Sequence, residues 1–160
     1  MALEILPGYG YLEDIRELFT EYTDMLVRRD PVFKGYLELQ KYDDELLHPE
    51  LKYAQPQGRL FIARLDGESV GCIALRGVDS RRCEMKRLYI RPEHRHRGVA
   101  RALVARLVEE AGDAGYSQML LDTLPVLSEA IALYLSMGFT YVERYNDSPL
   151  DYTVYMGKDL

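Results

Sequence analysis

This chain of 160 residues has few of the side chains that staple or metallate a protein, only two cysteines and three histidines. Cys72 and Cys83 are too few for a disulfide framework and show no metal-ligand spacing. Two reduced thiols on adjacent strand-like segments are expected, with a cross-strand contact left open. His48, His94 and His96 form no ligand cluster, so no metal is expected. No apolar run approaches the roughly 20 residues that cross a bilayer. The start, Met1-Ala2-Leu3-Glu4, lacks the basic-then-apolar order of a secretory signal, so the chain reads as cytoplasmic with no membrane partner. Positive charge is also short: 20 Lys and Arg against 26 Asp and Glu give a net charge of −6. That argues against a nucleic-acid surface and mildly favours a neutral or cationic partner. No serine or cysteine stands in a recognisable triad pattern, which removes the case for a covalent intermediate. No Gly-x-x-x-x-Gly-Lys-Ser/Thr run occurs, which removes a P-loop.

What is present is a mixed pattern. With 48% hydrophobic residues, the chain suits one domain over residues 1–160. Leu3 to Leu6 reads as a short strand closed by Pro7-Gly8. Leu12, Ile15, Leu18, Phe19, Tyr22, Met25 and Leu26 recur at three- and four-residue steps, an apolar stripe on a helix that Asp30-Pro31 ends. Val32 to Gln57 is less regular, with a second helix expected near Asp43 to His48. Leu60 to Leu65 and Val70 to Leu75 flank an Asp66-Gly67 turn as a hairpin, and Cys83 to Ile90 is a third strand. Val99, Leu103, Val104, Leu107, Val108 and Ala111 mark a helix stopped by Gly112 and Gly115. Gln118 to Thr123 is a strand, Ser128 to Met137 a helix capped at Gly138, and Phe139 opens the next strand. Tyr152 to Met156 is the last strand; at a sheet edge it would pair with a second copy, giving a homodimer. Hairpins before a βαβα unit imply the α+β class.

Arg95-His96-Arg97-Gly98-Val99-Ala100 joins the strand ending Leu88-Tyr89-Ile90-Arg91-Pro92 to the helix that follows. A loop at a helix start aims free backbone N–H groups and the positive end of the helix dipole at one spot, where an anion can sit. Gly98 and Ala100 leave room for a pyrophosphate, and Arg95 and Arg97 add mobile charge. The plainer alternative is an ordinary turn with solvated arginines.

Arg95-x-x-Gly98-x-Ala100 after a strand, with Ala130-x-x-Leu133-Tyr134-x-x-x-Gly138-Phe139 downstream, resembles the GNAT superfamily of acyl-CoA-dependent N-acetyltransferases. The resemblance covers Arg59 to Leu160 well and the first helices loosely. It implies a mostly antiparallel, twisted sheet of about six to seven strands, splayed between the fourth and fifth and flanked by about four helices. It also implies acetyl-CoA as cosubstrate, with no metal. Leu88, Tyr89 and Ile90 would pair their backbone with the pantetheine arm, and Arg95, His96, Arg97, Gly98, Val99 and Ala100 would hold the pyrophosphate. Tyr134 matches the family's tyrosine near the coenzyme sulfur, where a phenol can protonate the departing thiolate; a ring packed in the core is the alternative. Many relatives carry an asparagine seven residues earlier, where this chain has Leu127, so that contact is absent or supplied by Ser128.

Glu84 lies on the strand from which several relatives project a catalytic carboxylate. Period-two alternation puts Glu84, Lys86, Leu88 and Ile90 on one face and Met85, Arg87 and Tyr89 on the other. A base acting through water and an ordinary cross-strand ion pair are both open for Glu84. The family places acceptor specificity in segments corresponding to Phe33 to Tyr53 and Arg144 to Tyr152. Tyr36, Tyr145 and Asn146 there are candidate substrate contacts, alongside Tyr42, Tyr53, Asp147, Asp151 and Tyr152, unless these rings simply pack. The expected acceptor is a primary amine of a small molecule or amino-acid derivative. The alternatives are a protein lysine or N-terminus, or a non-catalytic acyl-CoA-binding module.

Overall fold

The computed structural model describes residues 2–160. Among them seven strands, β1 (Leu3–Pro7), β2 (Arg59–Leu65), β3 (Glu68–Gly77), β4 (Arg82–Ile90), β5 (Gln118–Thr123), β6 (Thr140–Tyr141) and β7 (Val154–Asp159), form one sheet in the order β1-β2-β3-β4-β5-β7-β6. All neighbours are antiparallel except β4 and β5. Those two pair only from Arg82–Gln118 to Glu84–Leu120 and then separate. Beyond Glu84, β4 has a partner on its β3 side alone, which is the splay the family resemblance implies.

Six helices among the described residues cover the sheet: α1 (Leu12–Arg29), α2 (Phe33–Leu39), α3 (Tyr42–Leu47), α4 (Pro49–Lys52), α5 (Val99–Asp113) and α6 (Ser128–Ser136). There are more than the expected four because the irregular stretch after Pro31 divides into three short helices. Lys41, at φ 57°, breaks it once, and Pro49, at the first position of α4, breaks it again. The α1 stripe is as expected, with Ile15, Leu18, Phe19 and Leu26 buried. Gly112 does not stop α5; Gly115, at φ 95°, does, and the Tyr116 N–H closes the end by donating to the Ala111 carbonyl at 3.1 Å. Gly138, at φ 92°, ends α6 in the same way.

One face of the sheet packs under α5 and α6 around Ile73, Met85, Leu103, Leu107 and Phe139; the other packs under α1 to α4 around Phe19, Tyr53, Leu60, Ile62 and Cys72. Cys72 and Cys83 are buried in these two different cores and both are free, so the cross-strand contact does not form. The final strand is also not an edge. β7 lies between β5 and β6, which takes away the ground on which it was to pair with a second copy.

Candidate active site

A bulge in β4 shapes the site. Cys72 faces Tyr89 while Ala74 faces Lys86, so Arg87 and Leu88 together oppose Ile73, and Arg87 takes φ 62° to accommodate the extra residue. The alternation expected along β4 therefore fails after Lys86. Lys86 and Arg87 both reach toward α2, donating to the same Gln40 Oε1 at 2.9 Å each. Leu88 and Ile90 join Met85 in the core beneath α5, and Tyr89 turns to the α1 side.

Where β4 and β5 part, a cavity of about 760 Å³ opens. Its lining runs from the start of α5, along Met85 to Ile90, to Leu121, Asp122 and Thr123 of β5 with Leu124 just beyond, and the face of α6 that carries Tyr134. At one end lies the Arg95 to Ala100 loop. His96 and Gly98 sit at φ 62° and 80°, and the first amide with an intrahelical partner is that of Ala102, 3.1 Å from the Gly98 carbonyl. The amides of residues 96–101 make no backbone hydrogen bond and are available to an anion. A Cβ built on Gly98 meets nothing within 4 Å, so glycine is required here by its dihedral and not by crowding. Arg95 donates to the Ile90 carbonyl at 3.0 Å and lines the cavity with His96, Gly98, Val99, Ala100 and Ser128. Arg97 is exposed and outside the lining.

Tyr134 projects from α6 into the same cavity, its ring packed on Phe139 at 5.8 Å. Burial, then the neighbouring Tyr22 and Asp122, hold its phenol well above the ordinary value, so it stays protonated. Glu84 is placed differently from a cleft base. It is buried, not among the lining residues, and bound by Arg76 Nε at 2.7 Å and by the Tyr145 hydroxyl. Burial alone would raise its carboxyl; Lys86, Arg76 and the Tyr145 hydrogen bond overcome this and lower it. Arg76 is its register partner across β3, the cross-strand ion pair geometry.

Of the three candidate acceptor contacts, only Tyr36 lines the cavity. Its hydroxyl donates to Asp122 Oδ2, which also receives the Asn146 side-chain amide at 2.8 Å. Tyr145 packs on Tyr155 and holds Glu84. Tyr42 and Tyr53 are buried and bonded inside the protein, to Thr23 and Glu45, while Tyr152 bonds Asp30. Two lining residues escape a reading of the sequence, Asp122 and Lys86. Nothing local distinguishes them, because Asp122 ends an ordinary strand and Lys86 owes its position to the bulge.

A three-layer α+β fold with a split sheet, and a helix start offering bare amides within the split, defines a protein that takes up a phosphate-bearing coenzyme. A model of the acetyltransferase (GNAT) family matches residues 12–139. An uncharacterised N-acetyltransferase of Schizosaccharomyces pombe is 39% identical over 147 residues, covering 91% of this chain and 86% of the relative. Another, from Escherichia coli, is 34% identical over 113 residues, 69% of this chain and 66% of that protein. An N-acetyltransferase of Thermoplasma acidophilum, solved in complex with coenzyme A, superposes with a TM-score of 0.79 at 20% identity over 100% of both chains. The chain belongs to the GNAT acetyltransferase family, and acetyl-CoA is its cosubstrate.

Proposed function

We propose that this protein transfers acetyl from acetyl-CoA to the primary amine of a small molecule by direct attack. The carrying observation is the single cavity that joins the free amides of residues 96–101 to the protonated Tyr134 and on to Asp122. The amides hold the diphosphate, and the unpaired edge of β4 at Leu88, Tyr89 and Ile90 receives the pantetheine arm. The amine nitrogen attacks the thioester carbonyl; a C–N bond forms and the C–S bond breaks. Asp122, a lining carboxylate, draws the ammonium in and takes its first proton through water; the nitrogen sheds its second proton to water as the tetrahedral adduct collapses. The departing sulfur is stabilised by a hydrogen bond from Tyr134. A thiol titrates near about 8.5, below this phenol, so the sulfur takes the proton released by the nitrogen, relayed through water, and the tyrosine keeps its own.

The test is coenzyme thiol release from acetyl-CoA across a panel of amines, with calorimetry of coenzyme binding alongside. Turnover on at least one small amine supports the proposal. Tight coenzyme binding with no turnover on any amine identifies a binding module instead, and turnover on peptide lysines or N-termini alone would move the acceptor class to proteins.

A further inference from the structure

Resting on that reading, we infer that the acceptor carries a carboxylate beside its amine, and that Lys86, assisted by Arg29, is the site that recognises it. Lys86 is 9% exposed, lines the cavity and has three N–H donors, of which one goes to Gln40 Oε1 at 2.9 Å. Its nearest carboxylate, Glu84, stands off at 3.9 Å and is already held by Arg76 and Tyr145. A buried ammonium without a bonded counter-ion is costly, and an anion entering the cavity would relieve that cost.

The surroundings agree. Arg87 and Lys52 both bind the buried Glu45, at 2.7 and 2.6 Å, leaving that group one charge positive. Arg76 and Glu84 cancel. Arg29, from the end of α1, reaches the cavity rim, where one N–H donates to the Val126 carbonyl at 3.4 Å. The lining carries two carboxylates, Asp122 and the exposed Glu129 of α6, and Asp122 is near enough to Lys86 to strengthen its hold on a proton. In a chain of net charge −6 the cavity lining carries five Lys and Arg side chains against two carboxylates. One negative pole and one positive pole whose only ion-pair partner stands 3.9 Å away fit a compact zwitterion, whose ammonium goes to Asp122 and whose carboxylate goes to Lys86. A polyamine would meet Lys86 and Arg29 as like charges.

The test titrates coenzyme-saturated protein with N-acetylglycine, N-acetylleucine and N-acetylphenylalanine, each as the free acid and as the primary amide. At least one acid is expected to bind about tenfold more tightly than its amide, with Lys86→Met abolishing the difference and Lys86→Arg keeping it within about threefold. Coenzyme affinity, measured on the same variants, reports folding; if Lys86→Met loses it, Arg29→Ala decides between the outcomes, with about a threefold weakening of the acid alone expected. Acids that bind no better than amides, or a preference indifferent to both substitutions, overturn the inference. Carboxylate-selective binding without thiol release from any amine would instead sink the transferase reading and leave the anion site standing.

Discussion

Lys86 and Arg87, adjacent in sequence, donate to one and the same oxygen, Gln40 Oε1, at 2.9 Å each. Consecutive residues of a regular strand face opposite ways, so this shared acceptor is a direct consequence of the bulge. Gln40 thereby fastens the chain just past α2 to the stretch of β4 that lines the cavity. Gln40→Leu is expected to raise the acceptor KM about tenfold, the worth of a hydrogen bond to a charged donor, while leaving the coenzyme Kd unchanged. Steady-state thiol release with calorimetry of coenzyme binding checks the split.

Glu45 makes the fold sensitive to acid. Burial opposes its charge, but Arg87 and Lys52 overcome that and lower its carboxyl to about 2. A depressed carboxylate contributes stability above its unfolded value, near 4.5, and loses it as pH falls toward about 2. Denaturant midpoints measured between neutral pH and pH 3 should therefore fall for the wild type and be flatter for Glu45→Gln. Glu45→Ala, which strands the buried Arg87, is expected to cost about 3–5 kcal/mol.

Tyr134→Phe is expected to lower kcat about 100-fold, the order found for one donor to a developing charge. Because the phenol is held protonated far above neutrality, no loss of activity from its ionisation should appear on the alkaline side. Asp122→Asn is expected to act differently, lowering kcat/KM most at low pH, where the amine most needs a proton acceptor. Profiles of kcat and kcat/KM against pH separate the two.

Gly98→Ala forces a Cβ onto a residue at φ 80° in the loop that lines the cavity. About 1 kcal/mol of stability should be lost. Coenzyme binding should weaken as well, since the strained residue belongs to the loop whose free amides are proposed to hold the diphosphate. Thermal melting and calorimetry give the two figures.

Lys86 is lowered to about 8, by burial first and then by Arg87 and Lys52, with Glu84 and Asp122 opposing and Gln40 facing it as a neutral acceptor. A carboxylate held by this ammonium should bind more weakly as pH rises through about 8. N-acetyl amino acids, which have no amine to titrate, are the probes; the Lys86→Arg protein should show no such decline.

The parts of the site that depend on neighbours in sequence were legible. The Arg95 to Ala100 loop is local, as is the Gly138 end of α6, and the Asp66-Gly67 hairpin turn forms with both residues at positive φ. The bulge was not legible, since a single extra residue is visible only against the partner strand, and it reverses the facing of every residue after it. Nor was the Arg87–Glu45 pair, which joins positions 42 residues apart. Lys86 and Asp122 were missed for the same reason: their chemistry comes from what the fold sets beside them. For Glu84 the sequence left a base and a cross-strand ion pair both open, and only the register that sets Arg76 opposite it shows the pair.

The strands β4 and β5 touch through only three residue pairs, Arg82–Gln118 to Glu84–Leu120. Past that seam the two halves of the molecule face one another across a gap that no main-chain bond closes. A coenzyme bound in that gap, as proposed above, would tie both halves together, so the acetyl-CoA level would govern not only how fast this protein works but how much denaturant it withstands.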